Sequence, residues 1–477
     1  MEQYDHYIGG ESVKPKSGNY GPSFDPSTGQ PVHEVARGAA EDVDAAVQAA
    51  KVALPSWRDM KPIERGRILL SIAAKLREHK DRLAALEKAE TGKPPWQPGL
   101  EIEIAAQYFE YYGGLVNLYQ GEKIDLGAGY HSYTVREPFG VVGVITPWNV
   151  PLNQAARGIA PGLAVGNTVV AKPSEFTSAS TVEFARMAVE ECGLPEGVLN
   201  VVLGEGHEAG AAIVSHPDVR KVAFTGSVRA GREIGKIAAE RIIPLTLELG
   251  GKSPNIIFED ANLADAIPGA VRAFVINAGQ ICSAGTRLLV HRSIHDAVVA
   301  GLVKGVEQIK VGPEADALVG ALTTRAQYER VQNWFETAAS EGAKAETGGT
   351  AEKRPEWGDG WYVPPTVYSG VTNDMRIAQE EVFGPVLAVI PFEDEADAIA
   401  IANDSDYGLA AGIWTQNLSR AHRVASALQA GQIFVNEYQA GGVETPFGGY
   451  KQSGYGREKG IEALHCYTQL KCVTMKL

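Results

Sequence analysis

FGVVGVITPWN, residues 139–149, sets the reading of the chain. Five apolar, mostly β-branched residues run without alternation and stop at a Pro-Trp-Asn turn. A strand with no polar face is one buried on both sides, as in a parallel sheet. Working outward, four further runs have the same form: NTVVAKPSE at 167–175, VLNVVLG at 198–204, KVAFTGS at 221–227 and PLTLELGG at 244–251. Helical patterns lie between them, in TSASTVEFARMAVEECG, EAGAAIVSHP and RAGREIGKIAAE. Short buried strands alternating with helices predict an α/β fold with a doubly wound parallel sheet. In such sheets ligands bind at the carboxyl ends of the strands. The most distinctive residues here, TPWN, KPSE, TGS and ELGG, all follow strand ends.

The theme repeats further on. ADAIPGAVRAFVINAG reads as a helix, and TRLLVHR, VLAVIPF, LAAGIWT and QIFVNE read as strands, which predicts a second α/β domain. Upstream, residues 40–117 read as helical, with AAEDVDAAVQAAKVAL and ERGRILLSIAAKLREHKDRLAALEKAETG carrying apolar residues at three- and four-residue steps. Gly92 before Pro94 ends the second of these. LYQGEKIDLGAGYHSYTVRE at 118–137 and the tail CYTQLKCVTMKL have partly alternating strand patterns. The tail fits either an ordinary edge strand or one that pairs across a subunit interface.

The 477 residues carry 44 Lys and Arg against 58 Asp and Glu, a formal charge of -14. An acidic chain of this kind lacks the basic surface that holds a phosphate backbone, so no nucleic-acid partner is expected. No run approaches the roughly 20 apolar residues of a membrane helix, and the first residues have no apolar leader core. Cys192, Cys282, Cys466 and Cys472 are scattered and form no CxxC pair. That disfavours a zinc knuckle, so no metal is expected, and it suits a reducing cytoplasm.

Three strand-end or loop residues have the chemistry of a site. Cys282 in GQICSAGTR is flanked by small residues that leave the sulfur open to close approach. The residues alone leave it open between a packed core thiol and a nucleophile. Glu248 in LTLELGGKSPN follows an apolar strand, where burial would raise its pKa towards that of a base near neutrality. The other reading is a salt-bridged strand end. Asn149 has an amide able to donate to an oxyanion, or simply to make a turn. TGSVRAGREIG presents a Gly-Ser turn at a helix start, where backbone amides can face a phosphate, although GxGxxG is absent. Lys172 and Glu175 follow the neighbouring strand, placed either for a ribose hydroxyl or as a solvated charge pair.

Taken in order, TPWN, KPSE, FTGS, LELGGKSPN, GQICSAGTR, EEVFGPV and PFGGYKQSGYGRE resemble the aldehyde dehydrogenase superfamily, over nearly the full length. The resemblance implies a Rossmann-like parallel-sheet cofactor domain at 1–117 and 138–249. It implies a catalytic α/β domain at 250–450 and a small β oligomerisation element at 118–137 and 451–477, giving a homodimer or homotetramer. It implies that Cys282 attacks an aldehyde, that Asn149 and the Cys282 N–H hold the oxyanion, and that Glu248 activates water against a thioester. For NAD it implies contacts from Ile145, Thr146, Pro147, Trp148, Lys172, Ser174, Glu175, Gly226, Ser227, Leu249, Gly250, Glu381 and Phe383. Glu175 would accept from the ribose 2′-hydroxyl and repel a 2′-phosphate, so NAD is expected over NADP.

The substrate is read from the pocket residues. Arg157 lies eight residues after Asn149, about two helical turns, on roughly the same face. Its guanidinium would bind a carboxylate or stack on a ring, or else salt-bridge within the helix layer. Asn153 and Gln154 make this helix polar, Ile281 and Ser283 flank Cys282, and Gly441 with Gly442 leaves room at the far wall. The expected substrate is an aromatic aldehyde or a carboxylate-bearing semialdehyde. Two other readings are a CoA-acylating enzyme, whose members generally lack the glutamate at Glu248, and a non-catalytic member. Glu458 in GREKG matches a glutamate sometimes given the role of second base or proton carrier.

Overall fold

The computed structural model describes residues 1–350 and 354–477. Its first sheet contains five parallel strands, in spatial order Leu245–Glu248, Val219–Thr225, Val141–Ile145, Thr168–Lys172 and Leu199–Val201. Val141–Ile145 and Thr168–Lys172 are buried at every position, which accounts for their unbroken apolar runs. The first strand sits in the middle, and the chain winds outward from it in both directions. The order therefore reverses between Val141–Ile145 and Val219–Thr225. That reversal opens a crevice at the carboxyl ends of these two strands. TPWN leaves one strand there and TGS leaves the other.

The sheet extends beyond the five strands. His6–Ile8 and Glu11–Val13 add an antiparallel hairpin to one edge, and Gly454–Tyr455 adds a short strand to the other. Glu2–Tyr4, Tyr20–Asp25 and Gln30–Ala36 make a separate small sheet. The sequence reading placed no strands before residue 40. Most of these are three residues long, too short to display a period of two.

Four helices, Ala40–Asp59, Pro62–Glu78, Lys80–Thr91 and Trp96–Leu115, occupy the expected helical region. The 64–92 stretch is broken at His79, and it ends as expected at Gly92, left-handed at φ 67°. Their apolar faces, with Trp57, Leu69, Phe109 and Tyr112 fully buried, pack with Pro151–Ala164 and Ala179–Glu190 in one core beside the first sheet.

The second sheet has seven strands in spatial order Lys344–Thr347, Thr366–Ser369, Val386–Phe392, Arg287–His291, Pro254–Ile257, Ala410–Trp414 and Gln432–Val435. All but the first run parallel, and they enclose a separate core with helices Leu263–Val275 and His295–Glu307. The tail finds a partner inside the chain: Thr468–Lys476 pairs antiparallel with Tyr130–Pro138, and Lys123–Ile124 completes a three-stranded sheet. Residues 450–455 pair instead with strands of the larger bodies. No helix among the described residues is long and apolar enough to cross a membrane.

Candidate active site

The crevice at the strand reversal leads to a cavity of about 180 Å³ between the two sheets. Pro147, Trp148 and Asn149 line it from one strand end, and Thr225, Gly226 and Ser227 from the next. Glu248, Leu249 and Gly250 follow the third strand, and Cys282, Glu381 and Phe383 come from the second sheet's side. Three sequence-distant motifs thus share one wall because their strands are neighbours in register, Phe224 with Ile145 and Thr225 with Glu248.

The cysteine is presented by an unusual turn. After helix Leu263–Val275 the chain passes through three left-handed residues, Asn277, Ala278 and Gly279, at φ 55°, 51° and 73°. Non-glycine residues rarely hold this conformation, and two in succession require support from outside. Asn277 provides part of it by donating from Nδ2 to the carbonyls of Asn149 (3.0 Å) and Gln280 (3.1 Å). Gln280, fully buried, donates to the Asn277 carbonyl and accepts from the Thr323 N–H at 2.9 Å. At Gly279 a Cβ would lie 2.1 Å from the Gly384 carbonyl oxygen, so only glycine fits. Burial pushes the Cys282 thiol up to about 12, while the Arg157 charge pulls it down.

Glu248 is fully enclosed, and neither of its oxygens has a protein partner. Burial first, and the Glu458 carboxylate second, hold it well above the ordinary carboxylate range. A carboxyl with both oxygens unpartnered beside a cavity is set to exchange protons with what enters that cavity. Asn149 spends one N–H on the Gln280 carbonyl at 2.8 Å, which fixes the amide and leaves its second N–H free.

The remaining cleft residues fit a dinucleotide. Ser227 caps helix Val228–Arg241, accepting from the Ala230 N–H at 3.2 Å, so the positive helix end faces the crevice. A Cβ on Gly250 would come within 2.3 Å of a Glu381 oxygen, and that carboxylate accepts from the Gly251 N–H at 3.1 Å. Burial raises Glu381 to about 7. Trp148 and Phe383 meet edge to face, 5.4 Å between ring centres. Ile145 and Thr146 lie one step back along the strand, with the Thr146 N–H donating to the Lys172 carbonyl at 3.0 Å. Lys172 is buried, lowered by that burial, and lies 3.5 Å from Glu175, which stays partly exposed beside Ser174.

Sequence reasoning missed Gln327 and Arg330. Both line the cleft and hold its far loop: Gln327 donates to the carbonyls of Val382 and Phe383, and Arg330 to that of Glu381. Phe383 sits at φ 56°, a strained value these bonds support. Their three-residue spacing put them on one helix face, but nothing in the sequence showed what that face meets.

Of the two roles expected for Arg157, the structure shows the ion pair. Arg157 is not part of the cleft's wall. Its guanidinium is buried, ion-paired with Glu458, stacked over Phe447 at 4.9 Å and directed at the Thr225 hydroxyl. Burial would lower its pKa, but the surrounding negative charges, Glu458 foremost, outweigh that and hold it charged. Asn153 is half-buried off the cleft, while its neighbour Gln154 lines the cavity with an unpartnered Oε1. Ile281 is half-buried beside Cys282, and the Ser283 carbonyl accepts from the Tyr438 hydroxyl at 3.0 Å. Gly441 is exposed at φ 98°, so its backbone conformation explains the glycine without a substrate.

Residues 13–473 match the model of the aldehyde dehydrogenase family. The betaine aldehyde dehydrogenase of Brucella anthropi is 42% identical over 475 residues, covering 99% of this chain and 97% of that protein. A variant of the P. syringae indole-3-acetaldehyde dehydrogenase, solved with NAD+ and IAA, superposes with TM-score 0.98 at 39% identity, covering 100% and 97% of the two chains. The NAD+ complex of a Bacillus cereus aldehyde dehydrogenase matches with TM-score 0.97 at 43% identity, covering 100% of this chain and 97% of the other.

Proposed function

The chain belongs to the aldehyde dehydrogenase family, and from that premise we propose that it oxidises an uncharged, preferably aromatic aldehyde to the acid with NAD. The observation that carries this reading is the single cleft shared by Cys282, Glu248 and Asn149 with the capped helix start at Ser227. NAD, which Ser227, Gly250, Glu381 and Phe383 would hold in this cleft, would supply the hydride acceptor.

The chain's own residues account for the rest. The Cys282 thiol gives up its proton to solvent, the thiolate sulfur forms a bond to the aldehyde carbon, and the carbonyl π pair moves onto the oxygen, which becomes an oxyanion. The free N–H of Asn149 and the Cys282 N–H are the donors for it, each contributing about 3 kcal/mol in sites of this kind. Loss of hydride leaves a thioester on Cys282. Glu248, ionised, takes a proton from water, the hydroxide attacks the thioester carbon, and the thiolate leaves.

The Arg157–Glu458 pair bears on the substrate. A guanidinium already neutralised by the buried Glu458 carboxylate has little left for a substrate carboxylate, and one more carboxyl, Glu248, stands close by. That argues against the acidic semialdehyde and for an aromatic aldehyde, with Gln154 available for one hydrogen bond. The relative that carries indole-3-acetaldehyde in its name supports the aromatic side. Glu175 would favour NAD over NADP by charge. A homo-oligomer is supported by the three-stranded sheet, which leaves Ile124, Leu470 and Met475 exposed.

An NADH-formation screen over aliphatic, aromatic and acidic aldehydes tests the reading. Turnover of aromatic aldehydes is expected; preference for acidic ones would overturn the substrate class. Formation of acyl-CoA on adding CoA would replace the hydrolytic step, and no NADH from any aldehyde would overturn the reading altogether.

A further inference from the structure

Helix Lys80–Thr91 supplies no residue to the cleft, yet buried hydrogen bonds connect it to both halves of the chemistry. In its C-terminal half, Glu87 Oε1 accepts from the Leu152 N–H at 2.7 Å and from the Ser180 hydroxyl at 3.1 Å. Leu152 is in the first turn of helix Pro151–Ala164, three residues after Asn149. That helix start has no cap of its own, because the cap position is Val150. Glu87, 65 residues upstream, takes the cap's place. One turn further along, at the last residue of the same helix, the Thr91 carbonyl accepts from the Thr323 hydroxyl at 3.3 Å. The Thr323 N–H donates to Gln280 Oε1 at 2.9 Å, and the Gln280 carbonyl accepts from Asn149 Nδ2 at 2.8 Å.

These contacts close a ring: Asn149, Leu152, Glu87, Thr91, Thr323, Gln280 and back to Asn149. Every member is buried, and Glu87, Leu152, Thr91 and Gln280 are fully so. The ring crosses from the first sheet's helices to the second sheet's side, where Cys282 is two residues from Gln280. Hydrogen bonds in a buried, low-dielectric setting are strong and tie together what they join, here with Glu87 Oε2 and Asn149 Oδ1 left unpartnered. The distance between an oxyanion donor and a nucleophile is a quantity that needs fixing, since about 1 Å of misplacement costs on the order of 100-fold in rate.

We propose that Glu87 and Gln280 are positioning residues that, through helix Lys80–Thr91, set the Asn149 amide against the Cys282 loop. The inference rests on the aldehyde-oxidising reading above. Its test is the pre-steady-state NADH burst of the full-length enzyme, with Glu87→Leu, Glu87→Gln, Asn149→Ala and the Glu87→Leu/Asn149→Ala double variant. Glu87→Leu is expected to slow the burst about 10- to 100-fold with KM for NAD unchanged. Glu87→Gln keeps the acceptor oxygen and should stay within about threefold of wild type. On the Asn149→Ala background, Glu87→Leu should change the burst by less than about threefold, because the group it positions is gone. Equal losses on both backgrounds, or a Glu87→Gln burst as slow as Glu87→Leu, would overturn the proposal. If Glu87→Leu does not fold, Gln280→Leu on the same two backgrounds decides: non-additive losses support the ring and additive ones refute it. No NADH from wild type sinks the aldehyde-oxidising reading and this inference together; wild-type turnover with additive losses sinks this inference alone.

Discussion

Arg157 and Glu458 form a buried ion pair within the electrostatic reach of both Glu248 and Cys282. The arginine arrives on the helix that begins beside Asn149, and the glutamate arrives from the far end of the chain. Their side chains are 6% and 4% exposed, so neither charge can turn to water if the other is removed. Arg157→Met is therefore expected to destabilise the protein by about 3–5 kcal/mol, mostly through the stranded Glu458. Arg157→Met/Glu458→Leu should recover most of that. Urea unfolding of the two variants measures it; a single variant as stable as wild type would show the pair to be dispensable.

Glu248 is expected to serve the second half of the reaction only. Glu248→Gln should keep a stoichiometric NADH burst while steady-state turnover falls about 100- to 10,000-fold. The pH dependence follows from the sign of its shift. A carboxyl held above its ordinary range keeps its proton to higher pH, so it is not a base at low pH and becomes one as pH rises. Steady-state turnover should thus climb with pH through that raised value, and the burst rate should not follow the same curve. Stopped-flow NADH traces at several pH values separate the two.

Glu175 lies at the end of the Thr168–Lys172 strand, 22% exposed at its side chain and 3.5 Å from Lys172. If the adenosine ribose lies here as proposed, the Glu175 negative charge is what a 2′-phosphate would meet. Glu175→Ser should raise kcat/KM for NADP and lower it for NAD, moving their ratio about 10- to 100-fold by removing a repulsion and a hydrogen bond together. An unchanged ratio would show that the adenosine ribose is read elsewhere.

Much of the fold was legible in the sequence because its central strands are buried on both faces and so have no polar residue to blur the pattern. The strand-end motifs were legible for a related reason: a doubly wound sheet delivers all its strand ends to one edge, so Asn149, Ser227 and Glu248 had to be neighbours. What stayed hidden depends on contacts between sheets. Arg157 was read on the right helix, but its partner Glu458 lies about 300 residues away in sequence, and only the packed chain shows that its charge is taken. Asn153 and Gln154 were both read as polar pocket residues, but a step of one residue turns a helical side chain by about 100°, and only Gln154 faces the cavity. Gln327 and Arg330 left only a helical spacing, which fixes a shared face but not what that face meets.

Gln154 lines the cavity with Oε1 unpartnered and its side chain buried. An unpaired buried amide oxygen costs about 1–3 kcal/mol unless something entering the cavity donates to it. Gln154→Met keeps the length and removes the polar atoms. It should leave kcat/KM for unsubstituted aromatic aldehydes within about threefold, and lower it about tenfold or more for aldehydes carrying a hydroxyl or ring N–H. Equal effects on both classes would assign Gln154 to packing alone.

Cys282 is the residue on which these expectations converge. With burial pushing its thiol up to about 12, only a small minority of molecules is ionised at pH 8. Alkylation requires the thiolate, so Cys282 should label slowly with iodoacetamide, and its rate should rise about tenfold per pH unit. Cys472 is exposed and should label first, while Cys192, buried and raised to about 11, should lag with Cys282. Arg157 pulls the Cys282 value down. In the Arg157→Met/Glu458→Leu variant, which keeps burial but loses that charge, Cys282 should label more slowly still at equal pH. Peptide mass spectrometry over a time course reads each cysteine separately. Faster labelling of Cys282 in the double variant would mean that the guanidinium shields the sulfur rather than favouring its ionisation.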